Sequence, residues 1–249
     1  MASCATPARE VVHPVKDHPF VTAKSKGESI KHLTCPTKIA LDSTIVYPQD
    51  TGNAVVDQYF EKYSSDFLEN SKTSYQESVL NDPSVCTFDY NLFSHADFDS
   101  YKAGANTLGI LYTLSSFVGG AHEELDYRAF NFNLTNGLEM HIKDLFPRPK
   151  TALPKLYNYV YTELCTATDA HGAASTVLGG TCGTDKLAPK EFSALNGSLD
   201  QIGHMILTAD GANLNFLPLD LWSWAQGPYT LSIPKEKLIE FGAKDIWGK

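Results

Sequence analysis

Leu108-Gly109-Ile110-Leu111-Tyr112-Thr113-Leu114-Ser115 is the stretch whose reading decides the fold. Every second side chain of an extended chain lies on the same side. Leu108, Ile110, Tyr112 and Leu114 share one side, and Leu111 lies among Gly109, Thr113 and Ser115 on the other. Both faces are partly apolar, as in a strand covered on both sides. The strand reads as 107–117, and Gly119-Gly120 ends it.

Working toward the C-terminus, Phe130, Phe132 and Leu134 alternate with Asn131 and Asn133. Asn136-Gly137 then gives the strongest short hairpin signal, because both residue types tolerate positive φ. Asp144-Leu145-Phe146-Pro147 leads into a helix at about 152–165, and the Ala-, Gly-, Ser- and Thr-rich stretch 166–185 reads as a loop. Ile202, His204, Ile206 and Thr208 alternate again, and Ala209-Asp210-Gly211 turns the chain. Leu214 and Phe216 continue on a second strand, with Tyr229, Leu231 and Ile233 on a third. Pro234 opens a short last helix that points Leu238 and Ile239 inward and ends at Gly242.

Toward the N-terminus, 86–95 reads as another strand. Before it, Val55, Tyr59, Tyr63 and Phe67 recur every four residues beside Val56 and Phe60. That is the core face of a helix over about 53–69, with Asp50-Thr51 as its cap. Two short strands precede it in 29–47, with Ile39, Leu41, Ile45 and Val46 as apolar points. Residues 1–28 show no sustained periodicity and read as a tether. Strands and helices do not alternate regularly, so the class is α+β, with mainly antiparallel sheets and a few packed helices. The organisation reads as a tether at 1–28, a small N-terminal α+β subdomain at 29–104 and a larger domain at 105–249.

The chain has 249 residues, 43% hydrophobic and 20% charged, enough to bury a core. A formal net charge of -9 argues against nucleic acid, whose phosphates need clustered Lys and Arg. It suits a basic protein partner. No apolar run reaches the about 18 residues that cross a bilayer.

There are five cysteines, Cys4, Cys35, Cys86, Cys165 and Cys182, and no pair has the C-x-x-C spacing of a zinc or redox site. Ala2-Ser3-Cys4 matches the end of a bacterial lipoprotein cleavage box, in which the cysteine becomes the lipidated first residue. The apolar signal-peptide segment that precedes such a box does not stand ahead of it, as in a chain written from its mature end with a new Met. The expectation is an exported lipoprotein, periplasmic or anchored in the outer membrane through lipid on Cys4. The other four cysteines can form two disulfides in an oxidising compartment. Three connectivities exist, and Cys35–Cys86 with Cys165–Cys182 is the expected one. The second pair brackets the Gly/Ala loop, and closing it is worth about 3 kcal/mol in the chain-entropy model.

The common catalytic patterns do not occur in the chain. There is no phosphate-binding loop, dinucleotide fingerprint or nucleophile elbow. No two His stand four apart around a Glu, and Thr87-Phe88-Asp89 is followed by Tyr90 rather than a second Asp of the deacetylase type. No enzyme, cofactor or metal is expected. His122-Glu123-Glu124 follows the double glycine, and His122 reads first as a backbone-bonding residue there, with a binding or acid–base role as the alternative. Asn133-Leu134-Thr135 and Asn196-Gly197-Ser198 have the form of glycosylation sites. In a bacterial protein they are chance.

Three runs together carry a resemblance. The first is Ser116-Phe117-Val118-Gly119-Gly120-Ala121-His122, the second Phe130-Asn131-Phe132-Asn133-Leu134 with Ile142-Lys143-Asp144-Leu145-Phe146. The third is Leu207-Thr208-Ala209-Asp210-Gly211, then Phe216-Leu217-Pro218-Leu219-Asp220-Leu221-Trp222, Ala225-Gln226-Gly227-Pro228 and Ile233-Pro234. In this order they resemble the domain of uncharacterised function in the C-terminal half of RsiV-type anti-sigma factors. That domain also stands beside peptidoglycan deacetylase domains and in envelope lipoproteins. The resemblance covers about 29–245. It implies an extracytoplasmic location and a larger part folded like a subdomain of the heat-shock ATPases without their nucleotide site. In the anti-sigma factor the domain binds lysozyme. This chain departs from the family at Leu219-Asp220 and Ser223-Trp224-Ala225, where Pro-Tyr and Pro-Tyr-Ala are usual. It also lacks the membrane helix and sigma-binding part, so signalling to a sigma factor is not implied.

The resulting expectation is a non-catalytic binding module that recognises lysozyme, another basic envelope protein or peptidoglycan. A peptidoglycan-processing enzyme or accessory, and a structural envelope protein, stand as alternatives. Segment 218–228 joins two strands and carries Trp222 and Trp224, which share a face when extended. Trp is enriched at interface hot spots. Trp222, Trp224, Pro218, Gln226 and His122 are therefore the candidate binding residues, with two indoles plugging the core as the plainer alternative.

Overall fold

The alternation at 108–115 becomes the central strand of a six-stranded sheet. The structure, a computed structural model, describes residues 18–31, 40–81, 92–117, 122–166, 204–217 and 228–248. The six strands are β1 (Thr22–Lys31), β2 (Ala40–Gln49), β3 (Leu92–Lys102), β4 (Thr107–Phe117), β5 (Glu124–Asn133) and β6 (Leu138–Glu139), adjacent in that order. Every pair is antiparallel except β2–β3. That exception comes from the connection: parallel neighbours need a long crossover, and helix α1 (Ala54–Asn81) supplies it. A second sheet holds β7 (His204–Thr208), β8 (Gly211–Phe216) and β9 (Tyr229–Pro234), all antiparallel. Helix α2 (Pro149–Thr166), the short helix α3 (Lys235–Glu240) and a 3-10 turn at Ile142–Leu145 complete the described elements. The class is α+β and mainly antiparallel.

One face of β4 lines the core beneath α1, and the other receives the small sheet. Leu108, Ile110 and Tyr112 are buried beneath α1 with Ile45, Tyr47, Ala96, Phe98 and Phe132, and Val56 and Phe60 come down from the helix. The second core lies between α2, through Leu156, Val160 and Leu164, and one face of the small sheet, through Leu207, Leu214, Phe216, Leu231 and Ile233. The two sheets meet where β7 lies against the other face of β4 and β5. Gly109 makes that approach possible, because a Cβ there would stand 2.9 Å from Ile206 Cδ1 and 3.0 Å from the Leu207 carbonyl. Its neighbour across the ladder is Asn131. The Asn131 amide donates to Met205 O (3.0 Å) and accepts from Leu207 N (2.8 Å), so one side chain pairs with β7 as a strand would.

Several expectations are corrected. The tether was expected to run to residue 28, but β1 starts at Thr22 and pairs with β2 at ten positions. Its residues hide the strand because an edge strand needs no alternating apolar side. Lys24 and Lys26 are of the kind that protects an edge, and Lys26 bonds Glu61 (2.6 Å) and Ser65 (3.1 Å) on α1. Helix α1 runs twelve residues past the expected end, where Tyr75 is buried and Ser71 bonds Ser94 across to β3 (3.0 Å). Its cap is Asn53, which accepts from Val55 N (2.9 Å), while Thr51 bonds Asp57.

Val55 and Tyr59, expected in the core, are 57% and 36% exposed. A row at strict four-residue spacing advances about 40° around the helix per step. It starts outside at Val55, meets the β5 rings of Phe130 and Phe132 edge-on at Tyr59, and packs against the core at Tyr63 and Phe67. Ile239, expected inward with Leu238, is 41% exposed, since so short a helix buries one position. The strand expected at 86–95 is β3, and its described part starts at Leu92. The Asn136-Gly137 signal is a hairpin, with Gly137 at φ 71 and a four-residue turn closed by Gly137 N to Asn133 O (2.8 Å). The boundary expected at 104/105 falls in the β3–β4 turn, and the sheet continues through it.

Candidate functional site

Two ends of the fold gather polar side chains, and they lie at opposite ends of the strands. At the first end β5 begins, β4 stops at Phe117, and β7 opens at His204. Asp126 on β5 pairs with Arg128 (2.7 Å) and lies 3.7 Å from His204 Nε2 on β7. The Tyr127 ring meets the His204 ring edge-on at 6.1 Å. His204 is paired with Asn215, whose amide donates to the His204 carbonyl (2.8 Å) and accepts from Thr230 (2.9 Å). A chain of contacts thus runs from β5 through β7 and β8 to β9, and carries the two sheets as one unit. Burial pushes the Tyr63 phenol beneath this end up to about 12, with Arg128 opposing and Asp126 adding. Burial, then Asp99, raises that of Tyr127.

The candidates named from sequence relate to this end in different ways. His122 stands just before β5, is exposed, and has Nδ1 3.0 Å from the Glu123 carbonyl, a contact with the backbone of the next residue. Trp222, Trp224, Pro218 and Gln226 lie outside the described residues, but both roots of their segment are described. Phe216 and Tyr229 face each other across β8 and β9, one step from the Asn215–Thr230 pair. His122 and the roots of the tryptophan segment therefore belong to the same end. Cys4, Cys35, Cys86 and Cys182 also lie outside the described residues. Cys165 is half-buried against the second core and disulfide-bonded, with its partner outside the described residues.

Asp126, Arg128 and His204 were not singled out in the sequence. His204 was visible only as one member of an alternating strand, and its approach to Asp126 depends on how the two sheets dock. Among the described residues no group of three or more His, Cys, Asp or Glu is arranged to hold a metal ion. No described helix is long and apolar enough to cross a membrane.

At the opposite end, an open cleft of about 680 Å³ lies between the end of β3 and the small sheet. Phe20, Tyr101 and Lys102 form one wall. The 208–210 turn with Asn213 and Ser232 forms the other, and Lys235 and Glu236 stand at its edge.

Comparison with known proteins gives fold information. No family model matches the chain, and no curated protein matches it. A crystal structure of a DUF3298 family protein from Pseudomonas aeruginosa is similar over 90% of this chain and 97% of that one, with a TM-score of 0.54 at 12% identity. A DUF3298 family member from Bacteroides fragilis is similar over 90% of this chain and 95% of that one, with a TM-score of 0.49 at 15% identity. The first supports the α+β architecture, at nearly full length on both sides.

Proposed function

We propose that the chain is an extracytoplasmic, non-catalytic envelope module of the RsiV-like kind, anchored by lipid on Cys4, that recognises lysozyme or another basic wall-associated protein. The observation that carries this reading is the first end of the fold. Loops on a rigid scaffold are where recognition usually resides. The connections through 118–121 and 218–227 both leave from this end. The scaffold beneath them is fixed by the Asp126–His204 and Asn215–Thr230 contacts between strands. The net charge of -9 favours encounter with a basic partner. The disulfide at Cys165 accords with an oxidising compartment.

The reading has two tests. Cell fractionation with globomycin treatment, or Cys4→Ala, should leave unprocessed precursor, whereas unchanged processing and fractionation would remove the anchor. Lysozyme immobilised on beads should retain the folded chain at low salt and release it as salt rises. No retention at any salt contradicts lysozyme as the partner.

A further inference from the structure

The cleft at the opposite end is lined by none of the residues described at the first end. Its size lies within the range of about 300–1,000 Å³ typical of small-ligand sites. Its far wall is built to stay in place. Trp247 Nε1 donates to the Thr208 carbonyl (2.8 Å), and Lys235 N donates to the Asp210 carbonyl (2.8 Å). The last stretch of the chain thereby pins both sides of the 208–210 turn. A wall fixed before binding spares a ligand the cost of ordering it.

The lining has a definite chemistry. Phe20 offers an exposed ring, 44% accessible, and Tyr101 offers a second, half-buried one. Asn213 uses its Oδ1 to accept from Ser232 (2.9 Å), which directs the Nδ2 donor elsewhere. Lys102 and Lys235 are further donors, and Asp210 and Glu236 are acceptors. None of these four charged side chains has an ion-pair partner among the described residues. The signs balance, so neither a polyanion nor a polycation is favoured. A sugar ring matches this set: one apolar C–H face for an aromatic ring, and a rim of hydroxyls that each donate and accept.

We propose that this cleft is an oligosaccharide-binding site, with Phe20 and Tyr101 as ring platforms and Asn213, Asp210 and Lys102 reading the hydroxyl rim. The test is a titration of the full chain, followed by amide NMR or calorimetry, with N-acetylchitotriose, maltotriose and the zwitterionic dipeptide alanyl-alanine as probes. The expected result is saturable binding of at least one saccharide at about millimolar strength, with shifts at Tyr101 and Asn213. Asn213→Ala should weaken it at least tenfold. Phe20→Ser changes an exposed side chain and should do the same, which keeps the test intact if Asn213→Ala does not fold. No saccharide binding, binding of the dipeptide alone, or equal binding by both folded variants would overturn the proposal. Trp222→Ala with Trp224→Ala should leave saccharide binding unchanged, so failure at the cleft and failure of the proposed lysozyme recognition can be told apart.

Discussion

Removing the Asn131 amide tests how the two sheets are held together. Asn131 is 6% exposed and satisfies two backbone groups of β7, the Met205 carbonyl and the Leu207 N–H, in residues that are themselves buried. In Asn131→Ala both groups lose their partner with no water at hand. Each orphaned buried group costs about 1–3 kcal/mol, so the variant should lose about 2–6 kcal/mol. In a chain of this length each kcal/mol lowers Tm by about 2–4 °C, so the expected drop is at least about 4 °C. Asn131→Asp should not rescue it: the carboxylate still accepts from Leu207 but faces the Met205 carbonyl with no proton to give. Asn136→Ala is the control. Its side chain accepts from Leu138 N at an exposed turn, and such surface changes stay within about 0.5 kcal/mol. Urea unfolding and thermal melts give the energies, and hydrogen exchange at Leu207 localises them. A loss below about 1 kcal/mol, or unchanged protection at Leu207, would refute the role given to Asn131.

Gly109→Ala, on the facing position, should cost about 1–3 kcal/mol by overpacking against Ile206, and Ile206→Val should recover part of it in the double variant. The Glu61 carboxyl is held below its ordinary 4.5 by the Lys26 hydrogen bond, then by Tyr47. A lowered folded value means that its contribution is present above the ordinary value and is lost as pH falls through the lowered one. Because the group is exposed this amounts to a few tenths of a kcal/mol, about 0.2–1, and Lys26→Met should abolish that part of the acid dependence in urea melts. Tyr63, pushed up to about 12, and Tyr112, held well above the ordinary phenol value, are raised by burial. Their contribution is full below the ordinary phenol value and is lost as pH rises through the raised one, so ultraviolet titration should show these phenols ionising together with alkaline unfolding. Peptide mapping without reductant should join Cys165 to Cys182, and a Cys165–Cys35 or Cys165–Cys86 peptide would contradict that pairing.

Strands whose side chains alternate against a core were legible, and β4, β5, β7, β8 and β9 stand where their patterns put them. What failed to show in the sequence has physical reasons. β1 is held by backbone pairing and lysine contacts at an edge, so its apolar signal is weak. Among the described residues of the far half of α1, Tyr75 is the apolar side chain that is fully buried, too sparse a stripe to read as a face. At the site, Asp126 and His204 are far apart in sequence and meet only because β7 crosses β5. That crossing depends on Gly109 and Asn131, two residues that in the sequence read as ordinary members of alternating strands. The cleft was equally hidden, because Tyr101 and Asn213 come from different sheets.

The proposed function stands or falls most directly on the affinity of the folded chain for lysozyme, measured by calorimetry at low and at physiological salt. The account predicts saturable binding that weakens with salt and falls at least tenfold, about 1.4 kcal/mol, in the Trp222→Ala, Trp224→Ala double variant while Tm is nearly unchanged. Absence of binding, or undiminished binding by the folded double variant, would contradict it.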